Sequence, residues 1–213
     1  MPDMNLERQL GGRVAGIDEA GRGPWAGPVV VAAVVLDSTR LSVELLGALD
    51  DSKKLQPAVR ESLFTALRDC ADIGIGQAEV AEIDSLNILQ ATFRAMERAM
   101  AALQGVDHVI VDGNRGPLLS CPVTLLVKGD GLSASVAAAS IVAKVTRDRL
   151  MACLAAEHPG YGWETNKGYG TPAHRAALAR LGLTPHHRCS FAPVAACLDR
   201  CCNSVAKIPR RKK

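Results

Sequence analysis

Two acids side by side, Asp18 and Glu19, stand where a short apolar segment (Arg13-Val14-Ala15-Gly16-Ile17) gives way to Gly21-Arg22-Gly23-Pro24. The segment reads as a buried strand, and neighbouring residues on a strand point to opposite faces. Asp18 and Glu19 can therefore serve one site only near a strand end, or through a backbone carbonyl. Gly21 and Gly23 tolerate positive φ and let another molecule approach bare backbone N–H groups. Acids beside exposed donors suggest a metal ion and a phosphate sharing one pocket.

Gly21 to Ala26 also fits the dinucleotide fingerprint G-x-G-x-x-A, which requires a helix to open directly after the turn. Instead Gly27-Pro28 leads into Val29 to Leu36, an uninterrupted β-branched and apolar run that reads as a second strand. The dinucleotide reading fails on that context. A plain hairpin with solvated acids accounts for the glycines, but gives no reason to place two carboxylates at the rim of an apolar strand.

Downstream, Val59, Leu63, Phe64 and Leu67 recur at helical spacing over 57–70, with Pro57 suited to a first turn. Alternation predicts a strand over 72–80, and Asp84-Ser85-Leu86-Asn87 leads into a predicted long helix that runs to Leu103. Val106 to Val111 reads as a strand finishing on Asp112, and Val123 to Val127 as another finishing in Lys128-Gly129-Asp130. A helix rich in Ala and Ser is predicted from Leu132 to about Glu157, where His158-Pro159-Gly160 stops it. Further helices are predicted over 172–181 and 194–203. Strands interleaved with helices, then helices alone, imply a mixed α/β sheet covered by helices.

At 213 residues and 48% hydrophobic content, the chain suits one globular domain. No apolar run approaches the roughly 20 residues of a membrane span. The N-terminal residues carry no signal-peptide pattern, so a cytoplasmic protein is expected. The net charge of +3 comes from the end of the chain, where Lys207, Arg210, Arg211, Lys212 and Lys213 meet no acid; the rest carries 20 basic against 22 acidic residues. Such a tail can add sequence-independent attraction to nucleic acid, or simply be a disordered solubilising end. Seven scattered cysteines do not form a disulfide framework. His186, His187 and Cys189, followed by Cys197, Cys201 and Cys202, invite a zinc reading, but no C-x-x-C pair is present and reduced thiols are expected.

Three predicted strand ends thus carry acids: Asp18 with Glu19, Asp112, and Asp130. Strand ends of an α/β sheet converge on one rim, where ligands bind. Four carboxylates there would repel one another unless divalent cations neutralised them. Mg²⁺ suits hard oxygen ligands and phosphate together, and two such ions can activate a water and stabilise a leaving oxygen in phosphodiester hydrolysis. Each aspartate alone is more often a turn or capping residue; their coincidence carries the argument.

At this point the chain resembles the type 2 ribonuclease H family, and within it the bacterial ribonuclease HII branch. The resemblance rests on Gly16-Ile17-Asp18-Glu19-Ala20-Gly21-Arg22-Gly23-Pro24, Asp51-Ser52-Lys53-Lys54-Leu55, Val111-Asp112-Gly113, Lys128-Gly129-Asp130, Ala137 to Val145, Asn166 to Thr171, and His187-Arg188 with Ser190-Phe191. These stretches occur in the family's order over about residues 13–195. The resemblance implies a ribonuclease H-like mixed five-stranded sheet flanked by helices, with a helical C-terminal part. It implies a catalytic domain over 13–205, preceded by an extension (1–12) and followed by a basic tail (206–213). It implies Asp18, Glu19, Asp112 and Asp130 as ligands of two Mg²⁺ or Mn²⁺ ions. The implied reaction is hydrolysis of the RNA strand of RNA–DNA hybrids, and nicking 5′ of single ribonucleotides in duplex DNA to leave a 3′-hydroxyl and a 5′-phosphate.

By the same resemblance, the backbone of Gly21, Arg22 and Gly23 reads the ribose 2′-hydroxyl. Tyr169 stacks on the following sugar, and Ser52, Lys53 and Lys167 hold phosphates. The bland readings are a Tyr169 half-buried against Trp163, and Lys53 and Lys54 on a solvated face. Two positions depart from the family pattern: Trp25, expected to widen or stack in the substrate groove, and Cys189, where another basic residue is usual. A monomer is expected. The competing class, a non-catalytic hybrid-binding module, is opposed by the four acids, whose charge would repel nucleic acid without metal.

Overall fold

The computed structural model describes residues 1–197. Five strands, β1 (Val14–Ala20), β2 (Val29–Leu36), β3 (Ala71–Ala78), β4 (His108–Asp112) and β5 (Val123–Leu126), form one mixed sheet in the order β3-β2-β1-β4-β5. The first three are antiparallel neighbours, while β4 and β5 join β1 in parallel. The helices are α1 (Asn5–Leu10), α2 (Val43–Ala48), α3 (Pro57–Cys70), α4 (Val80–Leu86), α5 (Ile88–Ala101), α6 (Ala134–Glu157), α7 (Trp163–Asn166) and α8 (Pro172–Leu181).

β2 explains the layering. All eight of its residues are buried, as a strand covered on both faces must be. Ala32, Val34 and Leu36 pack with α3 and α6, while Val29, Val31, Ala33 and Val35 pack with α5. The small residues expected between 132 and 157 let α6 lie close on the sheet. A Cβ on Gly16 would collide with the backbone of Ser135 and Val136, so only glycine allows this approach.

The long helix expected after Asp84-Ser85-Leu86-Asn87 is α5, and part of the lead-in itself belongs to the preceding helix α4. Asn87 adopts φ 71° and accepts hydrogen bonds from the N–H groups of Leu89 and Gln90, which starts α5 afresh. The residues before it are already helical in α4, because Glu79 and Glu82 form a reciprocal capping box that ends β3 at Ala78. Residues 1–12 pack onto the domain. Glu7 is buried and accepts hydrogen bonds from Ser133 Oγ, Ser135 N–H and Ser135 Oγ at the start of α6. Of the helix predicted over 194–203, the backbone is helical over 192–197; the remainder, like the basic tail, lies outside the described residues. Among the described residues, no helix is long and apolar enough to cross a membrane.

Candidate active site

Alternation along β1 sends Asp18 toward α6 and Glu19 toward α5. The β1–β4 ladder ends at Ile17 opposite Val111, so Asp18 and Asp112 leave the paired region side by side. Asp130 is reached differently from the expectation. It does not finish β5 but sits in a 3-10 turn (Gly129–Gly131), entered through Lys128 at φ 60°. That turn is tied to β4 by a hydrogen bond from Gly129 N–H to Asp112 Oδ1 of 2.7 Å. Carboxylate oxygens of Asp18, Asp112 and Asp130 all lie within 4.8 Å of one another.

Burial pushes the Asp18 carboxyl well above its usual range, and the charges of Glu19 and Asp112 push it further. Asp130 is raised in the same way, by burial first and then by Asp51 and Asp112. Three hard-oxygen donors that are costly to ionise together suit a small divalent cation, which removes that cost. The donor set fits Mg²⁺ or Mn²⁺. Glu19 stands on the other side of the strand, 3.2 Å from Arg22 Nη1, and lines a cavity of about 300 Å³ that it shares with Asp112, Phe93 and Arg115. Its carboxyl is also raised, by burial against the opposing pull of Arg22.

Beside the acids runs a groove of about 480 Å³ that brings Gly21, Arg22, Gly23, Ser52, Lys53 and Tyr169 together with Asp18. Tyr169 is 48% exposed, and its ring edge would lie 3.5 Å from a Cβ on Gly23. It does not lean on Trp163, which stacks on Tyr161 instead. Its loop is held by its carbonyl, which accepts from Thr171 N–H at 2.8 Å and from His174 Nδ1 at 3.0 Å. Ser52 is buried with its hydroxyl 2.8 Å from that of Ser140, which in turn hydrogen-bonds Asp18. The ammonium of Lys53 faces the acids. Burial lowers its basicity, but Asp51, Asp18, Asp130 and Asp112 outweigh that and raise it.

Lys167 and Trp25 lie elsewhere. Lys167 donates from Nζ to the Glu164 carbonyl and lines a separate cavity with Arg60, Lys144 and Asp148. Trp25 does not enter the groove. It is buried among Met151, Tyr161 and Trp163, with Arg175 over its ring at 5.5 Å, and its indole fills the space that Gly170 leaves by having no Cβ. The N–H groups of Cys189 and Ser190 both donate to Asp84, so position 189 serves a surface loop.

The sequence profile described as Ribonuclease HII matches residues 15–194. The chain belongs to the ribonuclease HII family. It is 63% identical over 203 residues to the ribonuclease HII of Rhodospirillum rubrum, covering 94% of this chain and 93% of that one. Against the ribonuclease HII of Paramagnetospirillum magneticum it is 61% identical over 196 residues, covering 92% and 98%. Among solved structures, the ribonuclease H2 of Pyrococcus horikoshii superposes with a TM-score of 0.73 at 29% identity, covering 89% and 98%. Ribonuclease HII in its PCNA complex from Archaeoglobus fulgidus gives 0.68 at 27%, covering 83% and 93%. The Bst ribonuclease HIII structure with Mn²⁺, 20% identical with a TM-score of 0.70 over 98% and 75%, shares the fold. With the family comes its activity, metal-dependent ribonuclease H hydrolysis acting on RNA–DNA hybrids.

Two buried arginines build the groove: Arg188, which the sequence offered only as part of a family stretch with no role, and Arg147, which it did not single out. Arg188 donates to the carbonyls of Gly21 (2.6 Å), Arg22 (2.9 Å) and Gly27. Arg147 donates to those of Ala26, Pro28 and Lys167. Neither forms an ion pair among the described residues, and burial lowers their basicity to about 9 for Arg188 and about 10 for Arg147. Gly21 stands at φ 100°, where a Cβ would strike Arg147 Nε. Both carbonyl sets are thus drawn inward around fixed guanidinium forks. Asp51, beside Asp130, and Ser140, beside Asp18, stand in stretches that carried the resemblance, but their contacts could not be foreseen, since each meets its partner only across the fold.

Proposed function

We propose that the chain nicks the strand on the 5′ side of a ribonucleotide, either single in duplex DNA or at the start of an RNA run, leaving a 3′-hydroxyl and a 5′-phosphate. The observation that supports this most directly is the trio Asp18, Asp112 and Asp130 within 4.8 Å, opening beside a groove with a glycine-lined floor. In this reading those three acids, with Glu19 from the opposite face of β1, hold two Mg²⁺ or Mn²⁺ ions. When bound, the ions would supply an activated water and stabilisation of the leaving oxygen. Ser140 orients the Asp18 carboxylate, and the Gly129 N–H orients that of Asp112. Backbone groups of Gly21, Arg22 and Gly23 contact the 2′-hydroxyl, the atom that separates RNA from DNA. Tyr169 rests against the next sugar, while Ser52 and Lys53 meet the phosphates. Lys167 would join them only by leaving the Glu164 carbonyl.

The test is cleavage of a labelled duplex containing one ribonucleotide, in Mg²⁺ and in chelator, with Asp18→Asn as control. A metal-dependent nick 5′ of the ribonucleotide, absent in the variant, is expected; near-normal turnover by Asp18→Asn would overturn the site. Tyr169→Ala should lower cleavage at the isolated ribonucleotide by roughly ten- to a hundredfold, the worth of one aromatic stacking contact. The continuous hybrid should suffer less, and equal losses on both substrates would contradict a junction-reading role.

A further inference from the structure

We propose that Glu157, His158 and His186 form a second, structural cation site, selective for Zn²⁺ and similar late transition metals and separate from the catalytic acids. One carboxylate oxygen and one ring nitrogen from each histidine lie within 4.8 Å of one another. The two imidazoles stand edge to face with centroids 5.1 Å apart, and Trp163 backs both at 5.9 and 6.3 Å. Two imidazoles and a carboxylate are a borderline-soft donor set that favours Zn²⁺ over Mg²⁺, with solvent completing the coordination.

A second observation points the same way. Glu157 is the last residue of α6, a helix of 24 residues with no basic side chain in its final turn. The C-terminal end of a helix carries partial negative charge and favours cations, so an acid there is unfavourably placed. Among the described residues its carboxylate has no ion pair or hydrogen bond. Nor does either ring take part in a hydrogen bond among those residues. A divalent cation would answer the charge of the carboxylate and of the helix end together.

Such an ion would fasten the end of α6 to the segment behind the groove. The His186 carbonyl accepts from Gly27 N–H at 2.9 Å, and Arg188 N–H donates to the Trp25 carbonyl at 2.8 Å. The next two residues are His187 and Arg188, and Arg188 holds the Gly21-Arg22-Gly23 turn. The zinc reading of His186, His187 and Cys189 therefore has the wrong partners. His187 is buried and turned toward His174, whereas His186 meets the end of α6.

The experiment is isothermal titration of the full chain with Zn²⁺ in saturating Mg²⁺, which occupies the hard-oxygen site, comparing wild type with His186→Ala and Glu157→Gln. Wild type should bind one more equivalent than His186→Ala, with a metal-dependent rise in melting temperature that the variant lacks. Glu157 is exposed, so Glu157→Gln tests the site without disturbing packing; its Zn²⁺ affinity should fall at least tenfold while nicking in Mg²⁺ alone is unchanged. Titration with Co²⁺ should give d–d bands without thiolate charge transfer. Equal stoichiometry and affinity in all three proteins, or cobalt bands dominated by cysteine, would overturn the proposal.

Discussion

Replacing Asp112 by Asn should make the metal-free protein more stable and the enzyme nearly inactive. In chelator, Asp112 faces Asp18 and Asp130 with oxygens within 4.8 Å. At an effective dielectric near 20, each fully ionised pair at that distance costs about 3.5 kcal/mol. Partial protonation of the raised Asp18 and Asp130 lowers the sum that is actually borne. Asn keeps the shape, and its Oδ1 can still accept the Gly129 N–H, so the change removes charge without removing the bond. A net gain of about 2 kcal/mol remains after solvent screening, or about 4–8 °C in melting temperature for a chain of this length. In Mg²⁺ the order should close or invert, because wild type gains from ligand binding and the variant does not. Turnover should fall by about 10²–10³, the kinetic equivalent of several kcal/mol of charge stabilisation. Calorimetry in chelator and in Mg²⁺, with nicking assays on the same preparations, reads all three quantities. If Asp112→Asn is less stable than wild type in chelator, at unchanged denaturant m-value, the electrostatic reasoning fails.

Arg188→Lys should cost about 2–5 kcal/mol, because one ammonium cannot span the carbonyls of Gly21, Arg22 and Gly27, and each buried acceptor left short costs about 1–3 kcal/mol. A urea midpoint shift worth less than about 0.5 kcal/mol would refute the claim that this side chain fixes the turn. A pH effect follows from the neutral pair His174 and His187. His187 is held down to about 4 by burial and then by His174, and His174 is lowered by burial. His174 Nδ1–H donates to Tyr169, and its Nε2 accepts from Trp163 and His187, so neither ring has a place for a second proton. Between the unfolded value near 6.5 and the folded value, the unfolded chain binds the extra proton. The stabilisation is therefore complete above pH 6.5 and declines as pH falls toward 4, by at most about 3 kcal/mol from His187. The raised acids Asp18, Glu19 and Asp130 act with the opposite sign, so the test is the difference between wild type and His187→Gln, measured in chelator. Parallel stability curves between pH 6.5 and 4.5 would exclude the effect.

What the sequence revealed and what it hid divide along one physical line. Val29 to Leu36 could be read as a strand because its β-branched, apolar run is local information. The same holds for Asp18 and Asp112, which leave neighbouring strands in register. Asn87 closes the lead-in to the expected helix and caps α5, but that α4 ends against it was not legible, because its φ of 71° comes from two helices meeting there. Asp130 lies in a turn rather than at a strand end because Gly129 bonds back to Asp112, a contact between residues 17 positions apart. The phosphate role of Lys167 came from the resemblance alone; in the structure its carbonyl accepts from Arg147 and its ammonium donates to the Glu164 carbonyl, contacts that nothing local in the sequence reveals.

The buried arginines were the hardest to foresee, and they explain how this site is stable enough to exist. Arg147 lies inside the helix read as rich in Ala and Ser, and Arg188 in a stretch that carried the resemblance without a role for the arginine. Both are fully buried in the structure. The fold thus brings like charges together twice, three carboxylates beside the groove and two guanidiniums against the carbonyls of the Gly21–Pro28 segment, where Arg147 helps depress Arg188. The guanidiniums are compensated permanently by the carbonyls of the Gly21–Pro28 segment and of Lys167. The carboxylates have no such internal compensation beyond Lys53, Ser140 and two backbone N–H groups. That asymmetry makes the turn rigid whether or not metal is present, and leaves the acids with a strong affinity for cations that the protein does not itself satisfy. A scaffold with the charges reversed would hold its turn with carboxylates and repel the ions that phosphodiester hydrolysis needs.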